Sequence, residues 1–346
     1  MNESLGPGDG ATWDLHGLRW KAGRHSGTLV GAQGLELVPG VSRGSYRRVL
    51  DAPLSPVTRV VASLNPEPFP VGAALRLSLR ARLEAGWSRW CSLGIAGSGR
   101  AFPASESSAA APGQPHVEAD LWCSPEPVSE LELRLELEAG ELGGTPQLRR
   151  LALEAWDPSR ARSEPEAAGP ERGAWGRGLS LPEYSQRIQP DDLPERGCSP
   201  TSLAMVLGAL GEERPVPEVA AGVYDHGAKI YGNWSLNAAY AGGLGYRATV
   251  LRADSLRHLE REVLAGRPAI VSHRFEAGEL PESPLPETRG HLLVVVGFTS
   301  TGDVVVHDPA ANPAQGESVR RTYPREAFAR TWLERGAGVT YRVERE

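Results

Sequence analysis

One cysteine, Cys198, stands at the start of a stretch whose apolar residues have helical spacing. Pro200 suits the first turn of a helix, where its missing N–H has no intrahelical acceptor to lose. Apolar residues recur from Leu203 to Leu210, and Gly211 is a suitable stop. The positive end of the helix dipole would favour the thiolate, which is the nucleophilic form of the side chain. We therefore predict that Cys198 is a nucleophile.

A cysteine nucleophile needs a base and a group that orients the base. His291 precedes the apolar run Leu292–Phe298, and Asp308 follows the apolar run Val304–His307. If both runs are strands of an antiparallel hairpin that turns at Thr299–Gly302, the start of the first lies beside the end of the second. The spacing therefore predicts that Asp308 lies within reach of His291.

The negative charge that develops on an attacked carbonyl needs hydrogen-bond donors. The backbone N–H of Cys198, at the predicted helix start, is one candidate. A side-chain amide upstream is the other, and two glutamines qualify. Gln186 is the preferred candidate, and Gln189 is the alternative.

Composition, charge and motifs limit the classes of partner and cofactor that the sequence suggests. The formal net charge is -6, from 37 basic and 43 acidic residues, which does not suggest nucleic acid or an anionic membrane as a partner. No apolar run approaches the roughly 18 residues of a membrane span. The sequence shows neither metal-ligand spacing nor a phosphate-binding loop, so we predict no metal and no cofactor.

The three cysteines are too few for a disulfide scaffold, and whether Cys91 and Cys123 pair stays open. The first ten residues have neither the basic nor the apolar region of a secretion signal. A cytoplasmic location is the default expectation, with secretion as the alternative if a leader is missing.

The composition changes along the chain in a way that suggests separate domains. Residues 1–12 are rich in glycine and are expected to be flexible. Over 13–156, short runs of alternating apolar and polar residues, such as Ala74–Leu83, are separated by Gly/Pro turns, which predicts an antiparallel β-sandwich. Residues 157–178 are rich in Pro, Glu and Gly and predict a linker.

Residues 179–346 mix helical and strand patterns. One early helix is followed mainly by strands, which is the order of a papain-like α+β fold. The fold class predicted for the whole chain is therefore a papain-like α+β domain preceded by an all-β sandwich.

Four motifs, taken together, resemble a known family. Gln186, Gly197–Ser202, Gly290-His291 and His307–Pro309 resemble bacterial papain-like cysteine peptidases of the bacteriocin-processing (double-glycine peptidase) group, and more closely its C39-like branch. The resemblance implies a cysteine nucleophile, a histidine base, an orienting aspartate and a glutamine oxyanion donor. The N-terminal half resembles, more weakly, the β-sandwich often found ahead of such domains.

Three functional hypotheses follow. The first is a cysteine peptidase that hydrolyses peptides through a thioester. The second is an inert binding or adhesion protein whose sandwich holds a glycan or another cell-surface ligand. In that hypothesis a sugar could stack on Trp87, Trp90 and Trp122, and the alternative is that these tryptophans are ordinary sandwich residues. The third is an amidase or acyltransferase that acts on cell-wall peptides with the same residues.

Overall fold

A computed structural model of the protein describes residues 11–51, 55–99, 102–109, 111–159 and 169–346. The chain divides into two compact units. The first unit contains Met1–Arg162 and Tyr224–Ala248, and the second contains Ser163–Val223 and Thr249–Glu346.

Most of the strands lie in the first half of the chain. They are β1 (Ala11–His16), β2 (Arg24–Ser26), β3 (Thr28–Gly31), β4 (Gly34–Leu37), β5 (Arg43–Val49), β6 (Val57–Pro66), β7 (Ala74–Leu83), β8 (Gly86–Trp87), β9 (Cys91–Gly97), β10 (His116–Glu118), β11 (Leu121–Val128), β12 (Leu131–Glu138) and β13 (Leu148–Trp156).

The second half of the chain mixes helices with strands. The helices are α1 (Leu193–Arg196), α2 (Cys198–Ala209), α3 (Val216–Val223), α4 (Trp234–Gly243), α5 (Leu256–Leu264) and α6 (Arg325–Ala329). The strands are β14 (Tyr246–Arg252), β15 (Ala269–Phe275), β16 (Thr288–Phe298), β17 (Val304–His307), β18 (Arg320–Tyr323) and β19 (Val339–Arg345).

Two sheets in the first unit share one hydrophobic core. One has the order β10-β11-β6-β13-β4-β3, with β1 on β13, and the other has the order β2-β5-β12-β7-β8, with β9 on β7. Alternate leucines of β12 point into the core, where Leu135 lies opposite Leu77 of β7. Buried residues of both sheets belong to one hydrophobic cluster, as expected for a β-sandwich, and the sandwich domain stays a prediction.

A segment from the second half of the chain belongs to this first unit. Tyr224–Ala248 carries α4, which packs on β6. The side-chain amide of Asn65 on β6 donates to the carbonyl of Ala248 and accepts from its N–H, at 2.9 Å each. The predicted sandwich over 13–156 therefore has an additional, distant part of the chain packed against it.

The second unit has a sheet with the order β14-β19-β15-β16-β17-β18. Its central strands β15 and β16 are almost entirely buried, and they share a core with α5 and α6. Helices α2 and α3 precede this sheet in the chain, which agrees in coarse terms with the predicted α+β class. Strand β18 was not predicted, because Arg320–Tyr323 shows only a weak apolar pattern.

The structure describes parts of the expected flexible and linker regions. Ala11 and Thr12 belong to β1, whereas residues 1–10 lie outside the described residues, as do residues 160–168 of the predicted linker. The end of that linker belongs to the second unit. There Glu260 accepts hydrogen bonds from the backbone N–H of Glu171 at 2.6 Å and from the Trp175 indole at 3.0 Å.

All three cysteines are free thiols, so Cys91 and Cys123 are not paired. Within the described ranges, no helix has the length and apolar character needed to cross a membrane.

Candidate active site

Cys198 is the first residue of α2, as the sequence pattern predicts. Gly197 precedes it and donates its N–H to the carbonyl of Leu193 at 2.8 Å. A Cβ at position 197 would lie 2.6 Å from that carbonyl oxygen, which is closer than real side chains approach. Glycine is therefore required for the tight connection that brings α1 into the start of α2.

The backbone of Leu292 ties Cys198 to β16. The hydroxyl of Ser202, one turn into α2, donates to the Leu292 carbonyl at 3.2 Å. The backbone of Leu292 also helps to lower the pKa of the Cys198 thiol. Because Leu292 follows His291 directly, these contacts fix the thiol beside the imidazole.

His291 and Asp308 form a buried pair. The imidazole Nε2–H donates to the Asp308 Oδ1 at 2.8 Å, and His291 and Cys198 shift the pKa values of each other. Strands β16 and β17 are antiparallel, with Val294 opposite His307. The hairpin expected from the sequence therefore brings Cys198, His291 and Asp308 into one continuous chain of contacts.

Asp308 has two further donors. The backbone N–H of Ala310 donates to Oδ1 at 2.9 Å, and the hydroxyl of Tyr323 on β18 donates to Oδ2 at 2.6 Å. Both carboxylate oxygens are thus hydrogen-bonded inside the protein, which offsets the cost of burying the charge.

The electrostatics of the three groups favour an ion pair. Burial would raise the pKa of Cys198, but the hydrogen bond and charge of His291 outweigh it, and the pKa is lowered. Burial would lower the pKa of His291, but Asp308 outweighs it, and the pKa is raised. The pKa of Asp308 is lowered despite burial, chiefly because His291 is adjacent. At neutral pH these directions favour a thiolate beside an imidazolium.

Gln186 lies near the same group through its backbone. It is buried at the start of a 3₁₀ turn, and its N–H donates to the carbonyl of Pro309, the residue after Asp308, at 2.9 Å. Its side-chain Nε2 donates to the carbonyl of Pro194 at 2.9 Å, which leaves a second N–H on the same nitrogen. The alternative, Gln189, is less buried and donates to the carbonyl of Ser185 at 3.0 Å.

Two other buried histidines are not suited to act as the base. His273 lies directly opposite His291 on β15, and its Nδ1 is 2.8 Å from the Thr331 hydroxyl. Burial, together with the charge of His291, lowers the pKa of His273 to about 3, so it stays neutral. His307 has its Nδ1 3.2 Å from the carbonyl of Pro182.

The sequence analysis missed two side chains of this site. Ser202 carries no signal apart from its position inside an apolar helix. Tyr323 lies on the strand that was not predicted, and nothing in the local pattern distinguishes it from a core tyrosine. Only the pairing of β17 with β18 reveals its relation to Asp308.

One group of side chains in the first unit has the composition of a metal site. His116, Glu118 and Cys123 place their ligand atoms within 4.8 Å of one another across the β10–β11 pair. Two features oppose a cation there. Arg59 lies directly opposite Cys123 on β6, and burial raises the pKa of the Cys123 thiol to about 11. His116 and Glu118 already pair at 3.0 Å, so the cluster is explained without a metal.

The tryptophans considered as a sugar platform have different environments. Trp122 is fully buried in the sandwich core and is excluded as a platform. The guanidinium of Arg80 lies 4.7 Å from the ring centre of Trp87 and 4.6 Å from that of Trp90. Stacking by arginine covers aromatic surface that a sugar would need.

One part of the second half of the chain is similar to a known family. Residues 179–339 match the family model described as the Peptidase_C39 like family, so this part of the chain is similar to that family. The match indicates a cysteine peptidase in general. No curated protein matches the chain.

Three solved structures resemble about half of the chain. A C39-like protein from Bacillus anthracis has 19% identity and a TM-score of 0.37, covering 49% of this chain and 98% of its own. A double-glycine-motif protease from an AMS/PCAT transporter has 22% identity and a TM-score of 0.33, covering 49% and 95%. The peptidase domain of Streptococcus ComA has 18% identity and a TM-score of 0.31, covering 49% and 99%.

Proposed function

We propose that the protein is a papain-like cysteine peptidase in which Cys198, His291 and Asp308 form the catalytic triad and Gln186 supplies an oxyanion donor. The observation that carries the proposal is the buried contact of the His291 Nε2 with the Asp308 carboxylate at 2.8 Å, on an imidazole that also lowers the pKa of Cys198. A buried imidazolium with one anionic partner on each side is the arrangement that stabilises a thiolate.

In the first half of the reaction, the Cys198 thiolate attacks the carbonyl carbon of the scissile amide. The negative charge moves to the carbonyl oxygen, where the Cys198 N–H donates, since the first N–H of a helix has no intrahelical acceptor. The free N–H of the Gln186 amide is the second donor. The His291 imidazolium then gives its proton to the leaving nitrogen, the C–N bond breaks and a thioester remains.

In the second half, water attacks the thioester carbon. The now neutral His291 takes a proton from that water, the C–S bond breaks, and the carboxylic acid product leaves. The thiolate and the imidazolium are restored, so protons and electrons balance over the cycle. Asp308 stays ionised throughout and holds the imidazole in one orientation.

The test is the rate at which iodoacetamide alkylates Cys198 near pH 6, compared between the wild type and His291→Ala. An ordinary thiol is about 99% protonated or more at that pH, so losing the ion pair slows labelling by roughly 10²-fold. Mass spectrometry of the Cys198 peptide separates its labelling from that of the buried Cys91 and Cys123. Equal and slow labelling of both proteins would refute an activated thiolate.

The same experiment separates the peptidase from an inert binding protein, which would have no activated thiol. An amidase or acyltransferase would pass the labelling test, so a second measurement is required. A peptide library and peptidoglycan fragments are incubated separately with the protein and with Cys198→Ala. Cleavage of library peptides by the wild type alone supports a peptidase, whereas products from the fragments alone support the cell-wall alternative.

A further inference from the structure

We infer that Tyr323 is a positioning residue of the active site, whose hydroxyl fixes the orientation and charge of the Asp308 carboxylate. The inference rests on the proposed function, because it assigns Tyr323 a role that acts through Asp308 on the Cys198–His291 pair. The residue does not contact the reacting atoms, and so it is not a catalytic residue.

The hydrogen-bond geometry around Asp308 leaves little freedom to its carboxylate. Oδ2 accepts from the Tyr323 hydroxyl at 2.6 Å, while Oδ1 accepts from the His291 Nε2 at 2.8 Å and from the Ala310 N–H at 2.9 Å. Rotating the carboxylate would break all three bonds at once. The short phenol bond therefore selects the orientation in which Oδ1 faces His291.

Packing holds the phenol in place. Tyr323 is fully buried and stacks on Phe328, with ring centres 6.4 Å apart. Phe328 in turn contacts the ring of His273 edge to face at 4.5 Å and that of Trp332 at 6.1 Å. These aromatic rings make Tyr323 a rigid donor, so it does not adjust its position to that of the carboxylate.

A second hydroxyl acts on the phenol. Ser283, in the loop between β15 and β16, partly offsets the rise in the Tyr323 pKa that burial and Asp308 cause. A group that stabilises charge on the phenol oxygen strengthens the bond that Tyr323 gives to Asp308.

The groups that face Asp308 determine the expected pH dependence. His291 and the donors of Tyr323 and Ala310 stabilise the carboxylate, whereas burial opposes its ionisation. Removing the phenol hydroxyl makes Asp308 easier to protonate. Once protonated, Asp308 no longer supports the imidazolium, and the thiolate is lost at a higher pH.

The experiment measures Cys198 alkylation as a function of pH in the full chain for wild type, Tyr323→Phe and Tyr46→Phe. Tyr46 is a buried tyrosine of the sandwich and serves as the matched control. The acid limb of each profile is the pH range in which the alkylation rate falls as the solution becomes more acidic. In Tyr323→Phe we expect this fall to occur about one pH unit higher, as loss of one hydrogen bond to a charged group implies. The Tyr46→Phe profile should coincide with that of the wild type.

Ser283→Ala tests the same inference if Tyr323→Phe fails to fold, and its acid limb should move upward by a smaller amount. If Tyr323→Phe folds and its alkylation rate falls at the same pH as that of the wild type, the inference is overturned. If only Ser283→Ala folds, the same result for Ser283→Ala overturns the inference. If instead the wild type shows no activated thiol, the proposed function itself fails, and the two failures are thereby distinguished.

Discussion

Asp308 in the second unit and Asp120 in the first are both buried carboxyl groups, and they differ in what surrounds them. Asp308 contacts the imidazole of His291 and the phenol of Tyr323. Asp120 accepts from the backbone N–H groups of Trp234 and Ser235, in the first turn of α4.

The two pKa values move in opposite directions. Burial raises the pKa of Asp120 to about 6, because its backbone donors offset burial only in part and the charge of Asp225 adds to the rise. The pKa of Asp308 is lowered although it is equally buried, because a cation lies in contact with it. A charged partner, more than burial, therefore distinguishes the carboxylate of the candidate site from one that anchors a helix.

The largest expected effect comes from removing the charge at the candidate site. Asp308→Asn removes the carboxylate partner of His291 and should lower kcat/KM on a cleavable peptide by about 10³- to 10⁴-fold. Asp120→Asn is the matched control, and its Cys198 alkylation rate should equal that of the wild type. A loss of less than tenfold in Asp308→Asn would show that the charge does not act through His291.

A smaller effect is expected from removing Asp225, a buried carboxylate that accepts hydrogen bonds from several neutral donors. Asp225 accepts from the N–H groups of Ser105, Gly227 and Ala228 and from the Asn233 side chain, at 2.8–3.1 Å. Asp225→Ala leaves these donors without their acceptor and should lower the free energy of unfolding of the first unit by about 3 kcal/mol.

Hydrogen–deuterium exchange of the full chain provides the measurement for Asp225→Ala. The amides of Gly227 and Ala228 should lose protection in this variant, and Asp225→Asn, which keeps one acceptor oxygen, should retain part of it. Unchanged protection in Asp225→Ala would mean that Asp225 does not anchor this segment.

The sign of the pH dependence is the next test. The pKa of Asp120 is about 6 when folded and near 3.8 in its ordinary state, so the folded form binds the proton more tightly. Its contribution to stability is therefore present below the ordinary pKa and is lost as the pH rises to about 6. The stability of Asp120→Asn relative to wild type should rise by up to about 3 kcal/mol between pH 4 and pH 7.

Urea unfolding of both proteins at a series of pH values measures this difference. The stability contribution of Asp308 depends on pH in the opposite direction. Because the pKa of Asp308 is lowered, its contribution is present above the ordinary pKa of the group and is lost as the pH falls. A stability difference between Asp120→Asn and wild type that is independent of pH would contradict the raised pKa of Asp120.

The smallest effect is expected for an ion pair outside the core. Arg196 and Asp192 pair at 2.7 Å, and both side chains are 43% exposed. Arg196→Ala should change the free energy of unfolding by no more than about 0.5 kcal/mol, because solvent screens the pair. A larger loss in urea unfolding would show that α1 depends on this contact.

Local sequence patterns predicted much of the second unit correctly. The helix that starts at Cys198 ends at Ala209, close to the predicted stop at Gly211. The two apolar runs after His291 and before Asp308 pair as antiparallel strands. These features follow from the spacing of apolar residues and from strand pairing between neighbours in the chain. The catalytic roles of these residues and of Gln186 stay predictions.

Contacts between distant residues could not be predicted in the same way. Arg320–Tyr323 has no clear alternation, so β18 and the phenol beside Asp308 emerged only from the sheet order. The segment Tyr224–Ala248 looked like part of the second domain, yet Asp120 and Asn65 bind it within the first unit. The local pattern indicates neither the contact of Asp308 with Tyr323 nor the contacts of Asp120 with α4.

The sequence alone determined the order of Cys198, His291 and Asp308 and the elements that carry them, because helical and strand periodicities are local properties. The tertiary structure decided the remaining neighbours of each carboxylate, because β18 and α4 carry no local signal of where they pack. Asp308 acquired the phenol of Tyr323 beside the imidazole that the hairpin predicts, whereas Asp120 acquired backbone donors of α4. The charge state of each group follows from those contacts.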